Sequence, residues 1–287
     1  MAINHTLPEY VEQNKIGLIA KSMLGAKTAS LVNLQTGIKT NATINLLNTD
    51  VKFQNGADCG FNADGDVNIS QRTIETVPLK VNMTFCDKSL LKTALQHAVK
   101  MNANKTSLSF EEEFTNSIVA SVKSKIETMM WQGEKSDTSF DGYLKFVEAT
   151  QFGATAYEMV KKAITNLPIE AIKEDTKVFV GKDLFMAFVQ EMVDKNLYHY
   201  SADNNDFTMV FPGTTIEIIA VDGLNGTDKV VATRLSNMYY GCDMEDDAEV
   251  FDLYFDKSDR IWKLVIEFNG GVNFAFTDEV VVVGKQV

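Results

Sequence analysis

The sequence predicts a mixed α+β fold, on three observations. A long amphipathic helix runs through the middle of the chain, from Ser107 to Trp131. Before it comes a strand with clean alternation of Val77, Leu79, Val81, Met83 and Phe85. After it come short apolar strands, among them Lys177–Gly181 and Trp262–Phe268, with further helical stretches between them.

Taken in order, the first fifty residues are polar with scattered Leu, Ile and Val and no sustained period, and they read as an extended arm. Residues 50–70 are rich in Gly, Asn and Asp, which favour turns. With the alternating strand behind them they predict a long hairpin whose tip is this Gly/Asn-rich piece. Asp87 or Ser89 caps a second helix carrying Leu91, Ala94, Leu95 and Ala98 on one side.

The long helix opens on a capping box, Ser109 with Glu112, in which each side chain satisfies a free backbone N–H. Glu111, Glu112 and Glu113 sit in the first turn, where the helix dipole favours negative charge, and Lys123 and Lys125 fall in the second half. Gly133 is expected to close the helix in the left-handed conformation. The apolar ridge is Phe110, Phe114, Ile118, Val122, Ile126 and Met130, always four residues apart. Four residues turn about 400°, so the ridge drifts by roughly 40° per step. A coiled-coil seam would alternate steps of three and four. The helix therefore reads as lying across different partners at its two ends, although an ordinary core helix would carry the same ridge.

Two turns follow, Trp131-x-Gly133 and Asp141-Gly142-Tyr143. A helical stretch through Ala154, Tyr157, Val160 and Ile164 is ended by Pro168. Lys177–Gly181 (KVFVG) is a buried strand feeding a helix whose apolar face is Phe185, Phe188, Val189, Met192 and Val193. Ile216–Val221 is a strand. Trp262, Leu264, Ile266 and Phe268 alternate along another, Gly270-Gly271 reads as a turn or bulge, and Val280–Val283 is a final apolar run. No internal repeat is visible.

Composition bounds the chemistry. The chain has 287 residues, 45% of them hydrophobic, and only four prolines, which suits one large domain or two smaller ones without extended linkers. No apolar run approaches the ~20 residues that cross a bilayer. The first residues lack the basic start and apolar core of a secretory signal, so a cytoplasmic setting is expected. Cys59, Cys86 and Cys242 are few, odd in number and scattered, as are His5, His97 and His199, so neither a disulfide framework nor a zinc motif is expected.

The net charge of −12 argues against a surface that grips nucleic acid. It is unevenly spread: residues 1–49 carry four lysines against Glu9 and Glu12. Asp243, Glu245, Asp246, Asp247, Glu249 and Asp252 crowd together with no basic residue between them, as a solvated acidic loop or a divalent-cation site. There is no Gly-x-Ser-x-Gly elbow, and Gly284-Lys285 lacks the rest of a phosphate-binding loop. Asn62, Asp64 and Asp66 imitate a calcium loop, but Val67 stands where its glycine belongs and Thr73 where its final glutamate belongs. No catalytic, metal-ligating or cofactor-binding residue is assigned, and the chain is not expected to be an enzyme.

The order of these parts resembles that of the major capsid proteins of tailed bacteriophages, which share the Hong Kong ninety-seven-type capsid fold. The resemblance rests on the arm, the Gly/Asn-rich hairpin, the helix ending in Trp131-x-Gly133 and Asp141-Gly142-Tyr143, Lys177–Gly181 with its helix, and VIEFNGGVNFAF near the end of the chain. It implies an N-terminal arm (1–49), an E-loop hairpin (50–82), a peripheral or P domain (83–166) with its spine helix at 107–131, an axial or A domain (167–248), and C-terminal strands (249–287) returning to the sheets of both domains. It also implies self-assembly as hexamers and pentamers into an icosahedral shell. That shell would enclose double-stranded DNA without reading its sequence.

The inter-subunit contacts expected on this reading are Leu46, Leu47, Phe53, Cys59 and Phe61, with the helical ridge as the spine's core. Implied partners are further copies of the chain, a portal, decoration proteins and, since only about fifty residues precede the hairpin, a separate scaffolding protein or none. No membrane and no cofactor are implied. The implied location is the virion, assembled in the bacterial host cytoplasm. Lys52 and Lys80 flank the proposed loop, but no matching Asn or acid can be named for a covalent cross-link. Two alternatives stand beside this reading: an encapsulin-type nanocompartment shell, and a metal-dependent hydrolase built on the Asp243–Asp252 acids.

Overall fold

The computed structural model describes residues 3–23, 25–38, 41–53, 66–86, 110–197, 207–243 and 250–286. The second helix expected around residues 87–98 and the capping Ser109 lie outside them, as do Cys59 and Phe61.

Helix α1 (Ile3–Met23) replaces the extended arm expected at the start of the chain. Val11 and Leu18 are buried, and the helix packs on α2 (Phe110–Gln132) and on β11 (Val250–Asp256). Its apolar residues form no continuous stripe, so tertiary packing rather than amphipathic pattern holds it.

The first sheet is organised around β12 (Ile261–Phe274). Along one edge it pairs antiparallel with β4 (Val77–Cys86), with Trp262 opposite Phe85 and Gly270 opposite Val77. Along the other it pairs antiparallel with β11 and then with β10 (Met238–Cys242). Strand β1 (Asn33–Gln35) lies parallel to β10. Trp262, Leu264, Ile266 and Phe268 alternate inward from β12, as the period of two requires, and share a core with Ile118, Val122, Ile126 and Met130 of α2. Phe114 is half-buried on the same core.

The second sheet has the order β5 (Gln151–Gly153), β13 (Val281–Lys285), β9 (Lys229–Arg234), β6 (Thr176–Gly181), β8 (Glu217–Val221) and β7 (Thr208–Val210). The short α3 (Tyr143–Phe146) precedes it, and α4 (Ala156–Thr165) and α5 (Lys182–Asp194) cover one face. Val178 and Val180 point into that helical core. Phe179, between them, points the other way into the core of the first sheet. Burial on both faces explains why KVFVG is continuously apolar rather than alternating.

The two sheets do not divide at residues 166 and 248. Strand β5 and helix α4 already belong to the second sheet, whereas β10 belongs to the first. The remaining pair, β2 (Asn41–Asp50) and β3 (Asp66–Glu75), forms a two-stranded antiparallel ribbon with Asn41 opposite Glu75. The hairpin thus starts at Asn41, within the stretch read as arm.

Two glycine expectations are corrected. Gly133 is not among the left-handed glycines, which among the described residues are Gly37, Gly213 and Gly226. It follows α2 at a position where no side chain fits: a Cβ there would lie 2.2 Å from the Phe140 carbonyl oxygen and 2.5 Å from that of Met129. Gly270 and Gly271 form no turn, since both lie inside the unbroken β12.

Candidate assembly surface

The ribbon β2–β3 projects from the first sheet, and its sequence sorts its side chains onto two faces. Ile44, Leu46 and Ile74 point inward and pack with Ile38 and Ala275. Leu46 is therefore occupied within its own chain and is not a free inter-subunit contact, which corrects that expectation. Leu47 points the other way. It stands directly opposite Ile69, and the two are 63% and 68% exposed. Val51 is exposed as well, and Phe53 is 99% exposed. Two exposed apolar groups on a two-stranded ribbon, which is marginal in water by itself, and two more directly after β2 form a surface of the kind covered by a partner.

The root of the ribbon is seated by close backbone approach. A Cβ on Gly271 would lie 2.1 Å from the Glu75 carbonyl oxygen, and one on Gly241 would lie 2.8 Å from Ile38 and 3.0 Å from Ile74. The bare backbone of β10 and β12 is what lets the ribbon cross the sheet here. Polar contacts fix its direction. Asn273 Nδ2 donates to the Thr73 carbonyl at 2.8 Å, Arg72 donates to the Thr277 hydroxyl at 2.8 Å, and Lys135 pairs with Glu75. None of these was visible in the sequence, where the paired glycines suggested a turn.

Toward the end of β4 away from the root, β4 and α2 bound an apolar groove of about 340 Å³ walled by Met83, Phe85, Phe114, Ile118, Val122 and Met129. Ser117, Ser121 and Lys125 line its polar side. Phe85 and Phe114 meet edge to face, with centroids 5.1 Å apart.

The far end of α2 is anchored by a buried polar triad. Glu127 is 3% exposed and accepts from the Thr28 backbone N–H at 3.1 Å and from the Thr28 hydroxyl. That hydroxyl in turn accepts from the Trp131 indole N–H at 2.8 Å. Burial pushes the Glu127 carboxyl above its ordinary value, against the opposing pull of the Thr28 hydrogen bonds. Trp131 lies 5.3 Å from the Tyr143 ring and 5.2 Å from the Phe179 ring, so it touches the turn after α2 and the second sheet together. Tyr143 donates to the Tyr239 carbonyl at 2.9 Å. The helix that supports the groove is thereby locked to α1's trailing loop and to both sheets.

Of the acids considered for a metal centre, Asp243 is buried and Asp252 is exposed on β11, while those between them lie outside the described residues. Among the described residues no three His, Cys, Asp or Glu side chains come together as a metal cluster, and no helix is long and apolar enough to cross a membrane.

The sequence matches no family model and no curated protein. The fold does have solved counterparts. A chain from the procapsid of satellite phage P4 that includes the size determination (Sid) protein is similar with a TM-score of 0.66 at 12% identity, over 95% of this chain and 91% of that one. A chain from the capsid of an empty GTA particle gives 0.62 at 10% identity, over 93% and 90%. The capsid of Myoviridae phage XM1 gives 0.53 at 12% identity, over 89% and 90%. The chain has the Hong Kong ninety-seven-type capsid fold along nearly its whole length.

Proposed function

We propose that this chain is a phage major capsid protein, which self-assembles as hexamers and pentamers into an icosahedral shell around double-stranded DNA. The observation that carries the reading is the exposed apolar surface at the β2–β3 ribbon, where Leu47 and Ile69 face each other and Val51 and Phe53 directly follow β2. In an assembled shell those groups are covered by a neighbouring copy.

Fully burying one such side chain contributes about 1.5–3 kcal/mol before ordering costs. A shell repeats the contact in every subunit, so many modest contacts add up through multivalency. The net charge of −12 opposes association. Moderate salt screens that repulsion, and particle yield should rise with it. The same acidity suits a wall that contains DNA without binding its phosphates. A portal, a separate scaffolding protein and decoration proteins would be the partners of such a shell, assembled in the host cytoplasm and retained in the virion. The reading assigns no catalytic residue.

Sedimentation velocity of the purified chain tests it. Fast-sedimenting particles of many copies are expected, with yield increasing from low to moderate salt. A single-chain species at every concentration and ionic strength would contradict it.

A further inference from the structure

Two walls of unlike kind meet at the groove between β4 and α2. Leu79, Val81, Met83 and Phe85 share one face of β4, as the period of two requires, and along it burial gives way to exposure. Leu79 is buried, Val81 half-buried and Met83 39% exposed. Phe85 and Phe114 meet edge to face at the end of the strand. Buried Ile118, Val122 and Ile126 line the opposite wall, and about 340 Å³ stays open between the two.

The rim is basic in a chain of net charge −12. Strand β4 holds no Asp or Glu, and α2 from Phe114 onward holds only Glu127, which is buried against Thr28. Glu112 and Glu113 precede Phe114 and do not line the groove. Lys125 does line it, is exposed, and has no ion-pair partner among the described residues. Lys80, Lys135, Lys177, Lys182 and Lys263, by contrast, each pair with a carboxylate. Beside Lys125 the Ser121 hydroxyl donates to the Ser117 carbonyl at 3.0 Å and is spent on its own helix. Ser117, Ala120, Ser121 and Ser124 are all small and exposed, which lets a second helix axis approach to about 8 Å.

We propose that the groove takes an amphipathic helix of a separate polypeptide, with leucine-class side chains on its inner face and carboxylates along its flanks. A single extended segment is a poorer fit, because both walls are side chains and its backbone groups would find no partners there. A helix satisfies its own backbone and sets apolar anchors at i, i+4 and i+7 into such a groove. Those anchors meet Met83 and Met129, whose flexible thioethers adapt to the side chain presented. The flanking carboxylates meet Lys125. Phe114 to Met129 covers roughly 22 Å of α2, which matches about four turns of the incoming helix. The proposal does not rest on the chain forming a shell.

Fluorescence anisotropy of the purified full chain with a labelled helix-forming peptide of about 15 residues tests it. The peptide carries leucines at i, i+4 and i+7 and glutamates on its flanks, and companion peptides carry glutamine or lysine in place of glutamate. The acidic peptide should bind most tightly and lose its advantage over the glutamine peptide as salt rises. Lys125→Glu should weaken the acidic peptide by about fivefold and leave the glutamine peptide unchanged. Met83→Ser should weaken both by about tenfold. Lys125 is exposed, so its variant keeps the fold even where Met83→Ser does not. No binding of any peptide up to about 1 mM, as expected were the groove filled from within the chain, would overturn the proposal. Equal affinities for the acidic and lysine peptides would overturn it too, by leaving only unselective apolar adhesion. Binding seen only in the Leu47→Ser, Phe53→Ser chain would overturn it in favour of a second copy's ribbon.

Discussion

The Trp131 indole N–H donates to the Thr28 hydroxyl at 2.8 Å, joining the last turn of α2 to a loop 103 residues earlier in the chain. Thr28 passes the connection on to Glu127, one turn before Trp131 on the same helix face. A single small hydroxyl thus serves two buried partners, and Trp131 carries the link into the second sheet through Phe179. Thr28→Val keeps the shape and removes both hydrogen bonds of the hydroxyl. Each buried group left unsatisfied costs about 1–3 kcal/mol, so urea unfolding should show a loss in that range or above, and Thr28→Ser should recover most of it. A loss below about 0.5 kcal/mol, the scale of surface substitutions, would show that the triad is not structural.

Glu127 makes stability depend on pH in a defined direction. Its carboxyl is raised above the ordinary 4.5 in the folded chain, chiefly by burial. The folded state therefore holds the proton more tightly than the unfolded one. This contribution is fully present below the unfolded value and is lost as pH rises through the raised value. Glu127→Gln, which cannot titrate, should remove that part of the slope in melting temperature against pH, upward from about 4.5. Identical slopes in the two proteins would contradict the assignment.

Gly271 is where the ribbon root meets the sheet, and a Cβ there would overlap the Glu75 carbonyl oxygen at 2.1 Å. Gly271→Ala should destabilise the chain by about 1–3 kcal/mol, the usual cost of overpacking. Gly226→Ala is a useful contrast, since its strain comes from a φ of 72° with open space around the position. Only the Gly271 variant should also alter proteolytic cleavage of the ribbon.

Leu47 and Phe53 are predicted to matter to association and not to folding. The double substitution Leu47→Ser, Phe53→Ser should leave the unfolding free energy within about 0.5 kcal/mol, as for other exposed positions. Its particle yield should fall sharply under conditions where the wild type assembles. Unchanged yield would remove the ribbon from the contact surface.

Much of this architecture was legible locally. The drifting ridge of α2, the alternation of β4 and β12, and the doubly buried KVFVG each carry their period in consecutive residues. Helix α1 was not legible because its apolar residues form no stripe, and Val11 and Leu18 are held by α2 and β11. Which of Leu46 and Leu47 faces outward depends on strand register, and a shift of one residue exchanges the two faces. Gly270-Gly271 has the look of a turn in sequence. Its role is to let another strand approach, a tertiary requirement with no local signature. The Thr28–Glu127–Trp131 triad likewise joins distant positions that composition and spacing cannot connect.

Electron microscopy of the purified chain tests the capsid reading most directly. Closed isometric shells, built from rings of six and five copies and lost in the Leu47→Ser, Phe53→Ser variant, are the expected result. A monodisperse single-chain protein that forms no shells at any salt concentration would contradict it.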